Sequence, residues 1–160
     1  SQSHAADVYV NVQGDEPFIT PAHIAQLVEP FRAEPETLVS TLCIRATPDE
    51  IDARQVNKVV FGAGGRALYF SKYGIPFDRD GRGVVRYKHI GLYAFRREFL
   101  LSFAALSQTP LERAESLEQL RALEHGYRIR AVETRFESIE VDTPDDLERV
   151  RRRVSAAARV

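Results

Sequence analysis

The chain has no methionine, one cysteine and no apolar run of membrane-spanning length. Each absence removes a class of protein. A single thiol, Cys43 within LVSTLCIR, cannot close an internal disulfide, which suits a reducing compartment. No histidine and cysteine share a metal-ligand spacing, so neither a zinc site nor a thiol nucleophile is expected, and Cys43 reads as a small core residue. No signal peptide opens the chain and no segment is apolar for the length of a bilayer, so no membrane partner is expected. An excess of charge of one sign is lacking too: 22 Lys and Arg face 23 Asp and Glu, for a net charge of -1. That leaves no global field to attract nucleic acid. The richest basic run, RVRRRVSAAARV, continues a helix whose first turn is acidic, which complements the helix dipole. Methionine is missing even at position 1, and SQSHAADVYVNVQ runs from a loop-like start straight into a core strand. The chain is therefore expected to begin partway through a longer protein.

What is present fits one α/β domain over residues 1–160, with a hydrophobic share of 44% to supply its core. Val8, Val10 and Val12 alternate with Tyr9, Asn11 and Gln13 as the two faces of a strand. Thr20 and Pro21 open a helix that places Ile24, Leu27, Val28 and Phe31 on one side. TLVSTLCIR reads as a second strand and TPDEIDARQ as a short helical or irregular link. KVVFGAGGRALYF has two β-rich arms around Gly62, Gly64 and Gly65, which predicts a hairpin. SKYGIPFDRDGRGVVRYKH, rich in glycine and charge, reads as an excursion from the core, and HIGLYAF returns as a strand. The pattern turns helical at RREFLLSFAAL. Thr109, Pro110 and Glu112 then open a helix that Gly126 closes. YRIRAVET is a strand, and Thr143, Pro144 and Asp146 start a last helix carrying Leu147, Val150 and Val154 inward. Such an alternation predicts three layers, with helices on both faces of a mostly parallel sheet.

Several groups could carry chemistry. The first strand ends in Gln13, Gly14, Asp15 and Glu16. This is either a tight turn or a seat for a cation, since ligands of open α/β sheets bind beyond the strand ends and magnesium takes hard carboxylate oxygens. In VDTPDDLERV, Asp145 and Asp146 serve the helix start, whereas Asp142 precedes the cap and could meet Asp15 across the sheet end. His89 and Tyr93 share parity on one strand with Gly91 between them, either as a ligand floor or as half-buried core. Glu118 and Gln119 lie beside the leucine stripe of ESLEQLRALEHG. They are either part of a solvated face, with Glu118 paired to Arg121, or partners for sugar hydroxyls. Arg79 and Lys58 offer cationic donors for a carboxylate, with surface solvation as the alternative.

Taken in series, VNVQGDEP, ALYFSKYGIPFDRD, KHIGLYAF, PLERAESLEQLRALEHG and VDTPDDLERVR resemble the CMP-Kdo synthetases in order and approximate spacing. These are the 3-deoxy-manno-octulosonate cytidylyltransferases, of nucleotidyltransferase (Rossmann-like) fold, and the resemblance runs from about Asp7 to Val154. It implies that CTP and the eight-carbon sugar acid Kdo are the substrates, that CMP-Kdo and pyrophosphate are the products, and that Mg2+ is the cofactor. By similarity Asp15 and Asp142 are the catalytic metal carboxylates. Gln13, Arg79, His89, Tyr93, Glu118 and Gln119 match positions lining the sugar site, and Lys58 matches a basic position near it. The excursion resembles the arm through which the family forms homodimers. The family's role implies the cytoplasm of an organism that builds lipopolysaccharide.

One departure stands out. The family's phosphate-binding segment of the type PARxxSxRxPGKPL, and the residues that select cytosine, do not occur in these 160 residues. The expectation is a C-terminal two thirds that lacks the first strand and the phosphate loop and is inactive alone. Two competing readings are a cytidylyltransferase for a related sugar acid, such as 8-amino-Kdo or sialic acid, and an inactive sugar-acid or metal-binding fragment.

Overall fold

Three helices begin in the same way, with a threonine, a proline at the first helical position, and a third helical residue that reaches back to the threonine. His23 Nδ1, Glu50 Oε2 and Glu112 Oε2 accept the backbone N–H of Thr20, Thr47 and Thr109 at 3.1, 2.9 and 3.2 Å. Each such contact satisfies a donor that a helix start leaves exposed. The computed structural model describes residues 6–141 and 143–157. The elements are β1 (Val8–Asn11), α1 (Pro21–Val28), α2 (Pro30–Ala33), β2 (Val39–Arg45), α3 (Pro48–Asp52), β3 (Lys58–Phe61), β4 (Ala67–Ser71) and β5 (Tyr87–Arg96). They continue with α4 (Arg97–Phe103), α5 (Pro110–Glu115), α6 (Gln119–Glu124), β6 (Ile129–Glu133) and α7 (Pro144–Ala157).

The strands form one sheet in the order β4-β3-β5-β2-β6, with β1 also paired to β5. Alternation along the strands sends side chains to two cores. Leu27, Phe31, Leu42, Ile90, Leu92 and Ala94 cluster on the face beneath α1 and α2. Val39, Cys43, Phe70, Phe95, Phe99 and Leu120 cluster on the other, beneath α4 and α6. Leu27, Leu42, Leu92 and Leu120 are wholly buried, each contributing about 1.5–3 kcal/mol relative to exposure. The expected three layers are present.

The mostly parallel sheet is not. Among the described residues only β2 and β6 pair in parallel, while β1–β5, β2–β5, β3–β4 and β3–β5 are antiparallel. The expected hairpin makes one of these pairs, and β5 runs antiparallel to each of its three partners. The sheet is mixed. The helix expected from Thr109 to Gly126 is also divided. Ser116 has a left-handed backbone, φ 55° and ψ 44°, which ends α5 and lets α6 start afresh. The final helix departs as well: Leu147 and Val154 are 40% and 53% exposed rather than inward. Contacts from charge hold it instead, with Arg153 over the Phe18 ring at 5.0 Å and 3.7 Å from Glu137.

β5 sets the site. On one edge, Tyr87 and Lys88 pair with β3, His89 N donates to the Asn57 carbonyl just before β3 at 2.8 Å, and Tyr93–Arg96 pair with β1, so residues 90–92 lie in the gap between two neighbours. On the other edge the register with β2 slips. Thr41 faces Tyr93 but Leu42 faces Ile90, leaving Gly91 and Leu92 as a bulge. Bulges bend a strand and re-aim side chains, often beside functional sites.

The Gly62–Arg66 turn fixes the neighbouring hairpin. Gly65 has φ +69°, and a Cβ there would meet Arg130 Nη1 at 2.4 Å and the Ala131 carbonyl oxygen at 2.9 Å. Gly65→Ala is expected to cost about 1–3 kcal/mol of stability in urea unfolding, by left-handed strain and the clash. Gly14→Ala, whose Cβ would meet nothing within 4 Å, should stay within about 0.5 kcal/mol. Equal losses for the two would contradict this account.

Candidate functional site

The bulge in β5 draws together two rings that a regular strand would hold far apart. Four residues of extended chain span about 13 Å, yet the His89 and Tyr93 ring centroids lie 5.3 Å apart. The Thr41 hydroxyl makes this possible. It donates to the Leu92 carbonyl at 2.7 Å, satisfying the bulged backbone, and its oxygen lies 2.8 Å from His89 Nε2. With its proton committed to Leu92, Thr41 can only accept from the ring, so Nε2 carries the imidazole hydrogen. The other nitrogen, Nδ1, is buried without a hydrogen-bond partner among the described residues. Burial pushes the His89 pKa down to about 3, which keeps the ring neutral.

Gln119 and Glu118 reach this floor because the helix breaks at Ser116. Gln119 is buried as the first residue of α6, and with Glu118 it borders a crevice of about 10 Å³ against Tyr93, Phe95 and Phe99. That space barely admits one water. The Tyr93 hydroxyl pKa is pushed well up by burial, then by the Glu118 and Glu140 charges. The break is braced on both sides. Glu115 accepts from Ser71 Oγ at 2.7 Å and Lys72 N at 3.0 Å, while Arg121 pairs with Glu112 through Nε at 2.8 Å and through Nη2. The ion pair that Arg121 makes is thus with Glu112, across the break, rather than the Glu118 pair of the solvated-face alternative.

Gln13 lies over the same floor: its Cγ is 3.7 Å from where a Gly91 Cβ would stand. Glu16, unassigned from sequence, is buried beside it. It accepts from the Ser138 hydroxyl and the Gly91 N–H, and its pKa is raised by burial and to a smaller degree by Asp15. Nothing in the sequence distinguished Glu16 from the exposed carboxylates. Asp15 has a buried Oδ1 without a partner among the described residues, and its carbonyl accepts from Val141 N at 2.9 Å. The end of β1 is therefore stitched to the chain segment that precedes Asp142. Asp142 itself lies outside the described residues.

Beside Lys88, His89 and Ile90 opens a cleft of about 480 Å³. Its lining includes Glu16, Glu50, Gln55, Lys88, His89 and Arg149. This volume is in the range of small-molecule sites. Among the described residues no three metal-binding side chains converge. Two expected residues stand apart. Arg79 is exposed on the 72–86 excursion, where Asp78 accepts the backbone N–H groups of Arg82, Gly83 and Val84. For Lys58 the expectation is corrected: it is 0% exposed, and Nζ donates to the carbonyls of Ala53, Val56 and Lys72, which uses all three N–H groups. It ties the link after α3 to the hairpin and has no donor left for a substrate.

An α/β sheet with a cleft and a polar-aromatic floor beside the strand ends suits an enzyme acting on small polar molecules. The chain belongs to the cytidylyltransferase family, whose sequence model matches residues 1–138. Among particular proteins, it is similar to the 3-deoxy-manno-octulosonate cytidylyltransferase of Solibacter usitatus, with 54% identity over 95% of this chain and 61% of that protein. The Syntrophus aciditrophicus protein of the same name is 52% identical over 91% of this chain and 59% of its own length. A solved structure of CMP:2-keto-3-deoxy-manno-octonic acid synthetase complexed with CTP superposes with TM-score 0.92 and 38% identity, covering 98% of this chain and 65% of that one. The inositol-1-phosphate CTP transferase of T. maritima shares the fold, at TM-score 0.60 and 16% identity over 91% of this chain and 53% of its own. The chain thus spans about 60% of the length of the curated relatives it matches.

Two tests follow from the geometry. The folded chain keeps His89 unprotonated down to about pH 3, whereas an unfolded histidine titrates near 6.5. The unfolded state therefore binds more protons between these values, and the stability His89 confers is full above about pH 6.5 and lost as pH falls toward 3. His89→Gln should flatten that part of the stability profile in denaturant melts, and an unchanged acid slope would contradict the assignment. Lys58→Met should cost about 1–3 kcal/mol or more, since it leaves three part-buried carbonyls without their shared donor. A melting temperature equal to the parent's would refute the structural role of Lys58.

Proposed function

We propose that the chain carries the sugar-acid part of a cytidylyltransferase that transfers CMP from CTP to Kdo and releases pyrophosphate, in lipopolysaccharide biosynthesis in the cytoplasm. The observation that carries the reading is the face of His89 beside the cleft of about 480 Å³, with the Tyr93 ring against it and Nδ1 a buried acceptor that has no partner among the described residues. Sugar hydroxyls supply the donors such a face needs. The names of the relatives supply the substrates.

In the reaction, the anomeric hydroxyl oxygen of Kdo forms a bond to the α-phosphorus of CTP. The bond from that phosphorus to the pyrophosphate oxygen breaks, and the hydroxyl proton leaves. Little covalent work falls to the protein, so catalysis is positioning and charge neutralisation. Gln13, His89, Tyr93, Glu118 and Gln119 would orient the sugar; Arg79, exposed on the excursion, stands as the carboxylate partner on the resemblance alone. Asp15, with its orphaned buried Oδ1, fits a hard cation, and Asp142 would be the second carboxylate. Mg2+ bound there would polarise the α-phosphoryl oxygens and acidify the attacking hydroxyl.

The exposed apolar side chains of the excursion, Tyr73, Phe77, Val84 and Val85, would form the homodimer contact; Phe77 is 84% exposed. By themselves the 160 residues would bind the sugar acid without making CMP-Kdo, since the phosphate-binding segment is not among them.

Calorimetry tests the reading. With Mg2+ present, Kdo should give a saturable heat that Asp15→Asn weakens at least about tenfold, and added CTP should yield no CMP-Kdo. Absence of any heat with Kdo would sink the proposal, and tighter binding of sialic acid or 8-amino-Kdo would reassign the sugar.

A further inference from the structure

Thr41 lies on β2, is wholly buried and touches no solvent. Its hydroxyl is the polar group within hydrogen-bond distance of His89 Nε2. One proton and two lone pairs are available on that oxygen. The proton goes to the Leu92 carbonyl at 2.7 Å, which the bulge removes from the regular ladder, with the Ile90 carbonyl farther off at 3.4 Å. A lone pair is what remains for the ring. Edge contacts restrain the imidazole further, with Phe70 at 5.1 Å in a T-shaped arrangement and Tyr93 at 5.3 Å. Phe70 has no group that could hydrogen-bond to the ring nitrogens. The state of Nδ1 is therefore decided by a hydroxyl on the far side of the ring.

We propose that Thr41 is a positioning residue that fixes His89 as the Nε2–H tautomer, so that Nδ1 faces the sugar acid as an acceptor specific for a hydroxyl donor. This deepens the sugar-acid reading and rests on it. It also assigns a part of the substrate to His89. A bare lone pair repels a carboxylate and attracts O–H, so His89 contacts a hydroxyl of the sugar and the carboxylate must be held elsewhere. The low proton affinity of the buried ring agrees with this, because a neutral imidazole keeps one acceptor across the physiological range. Orienting partners of this kind determine which ring nitrogen is presented.

The test is nitrogen-resolved NMR of the His89 ring, joined to Kdo calorimetry, on the 160-residue chain. In the parent, the ring should show Nε2–H with an unprotonated Nδ1. Thr41→Ser keeps the hydroxyl and should keep both the tautomer and the affinity. Thr41→Val keeps the shape without the hydroxyl; the ring should then populate Nδ1–H, and Kdo should bind about tenfold more weakly. A merely structural role would lower the melting temperature of Thr41→Val without changing the tautomer, and that result overturns the proposal. So does a parent ring found as Nδ1–H, which requires no variant to fold. Should the parent bind no Kdo, the sugar-acid reading itself fails. Should the parent bind Kdo and Thr41→Val bind it equally well, only the role given to Thr41 fails.

Discussion

A single hydroxyl, that of Thr41, holds the centre of this structure. The slip between β2 and β5 leaves the Leu92 carbonyl without its ladder partner inside a dry core, and Thr41 supplies the missing donor at 2.7 Å. A buried carbonyl left unpaired costs about 1–3 kcal/mol, so without such a donor the bulge would be expensive to keep. The bulge is also what folds His89 back toward Tyr93. Two demands, one of backbone satisfaction and one of side-chain placement, are thereby met by one oxygen atom.

The other side of the floor rests on a similar exchange of local regularity for placement. A continuous helix through PLERAESLEQLRALEHG would satisfy its own backbone. Ser116 instead takes a left-handed conformation, which costs a residue with a Cβ about 1–2 kcal/mol. The Glu112–Arg121 pair and the Glu115 contacts to β4 offset that cost. What results is Gln119 buried against the aromatic face rather than one turn along a solvated stripe. Strain of this sort gathers where geometry matters for binding.

Much of the architecture was legible in the sequence. The threonine–proline helix starts, the hairpin around Gly64 and Gly65, and the strands of HIGLYAF and TLVSTLCIR follow from short-range preferences of the chain. His89 and Tyr93 were legible as a pair by parity alone. Strand direction was not, because alternation marks a face without saying which way a neighbour runs. Lys58 shows a second limit. Its charge suggested an anion, but three carbonyls claimed it: two come from the turn just before it, which a charge-based reading does not reveal, and the third from Lys72, 14 residues on. Glu16 was silent for the same reason: its partner Ser138 is 122 residues away.

The sequence by itself determined where α1, α5 and α7 start, where β2 and β5 lie, and which polar side chains could meet a sugar acid and a cation. Tertiary structure alone decided the register of β5 against β2, the break at Ser116, and which nitrogen of His89 is left bare. The division has a physical cause. Propensity and alternation act over a few residues, whereas a bulge, a strained turn or a tautomer is stable only when a distant group satisfies it. Here that group is Thr41, 48 residues from the histidine it orients.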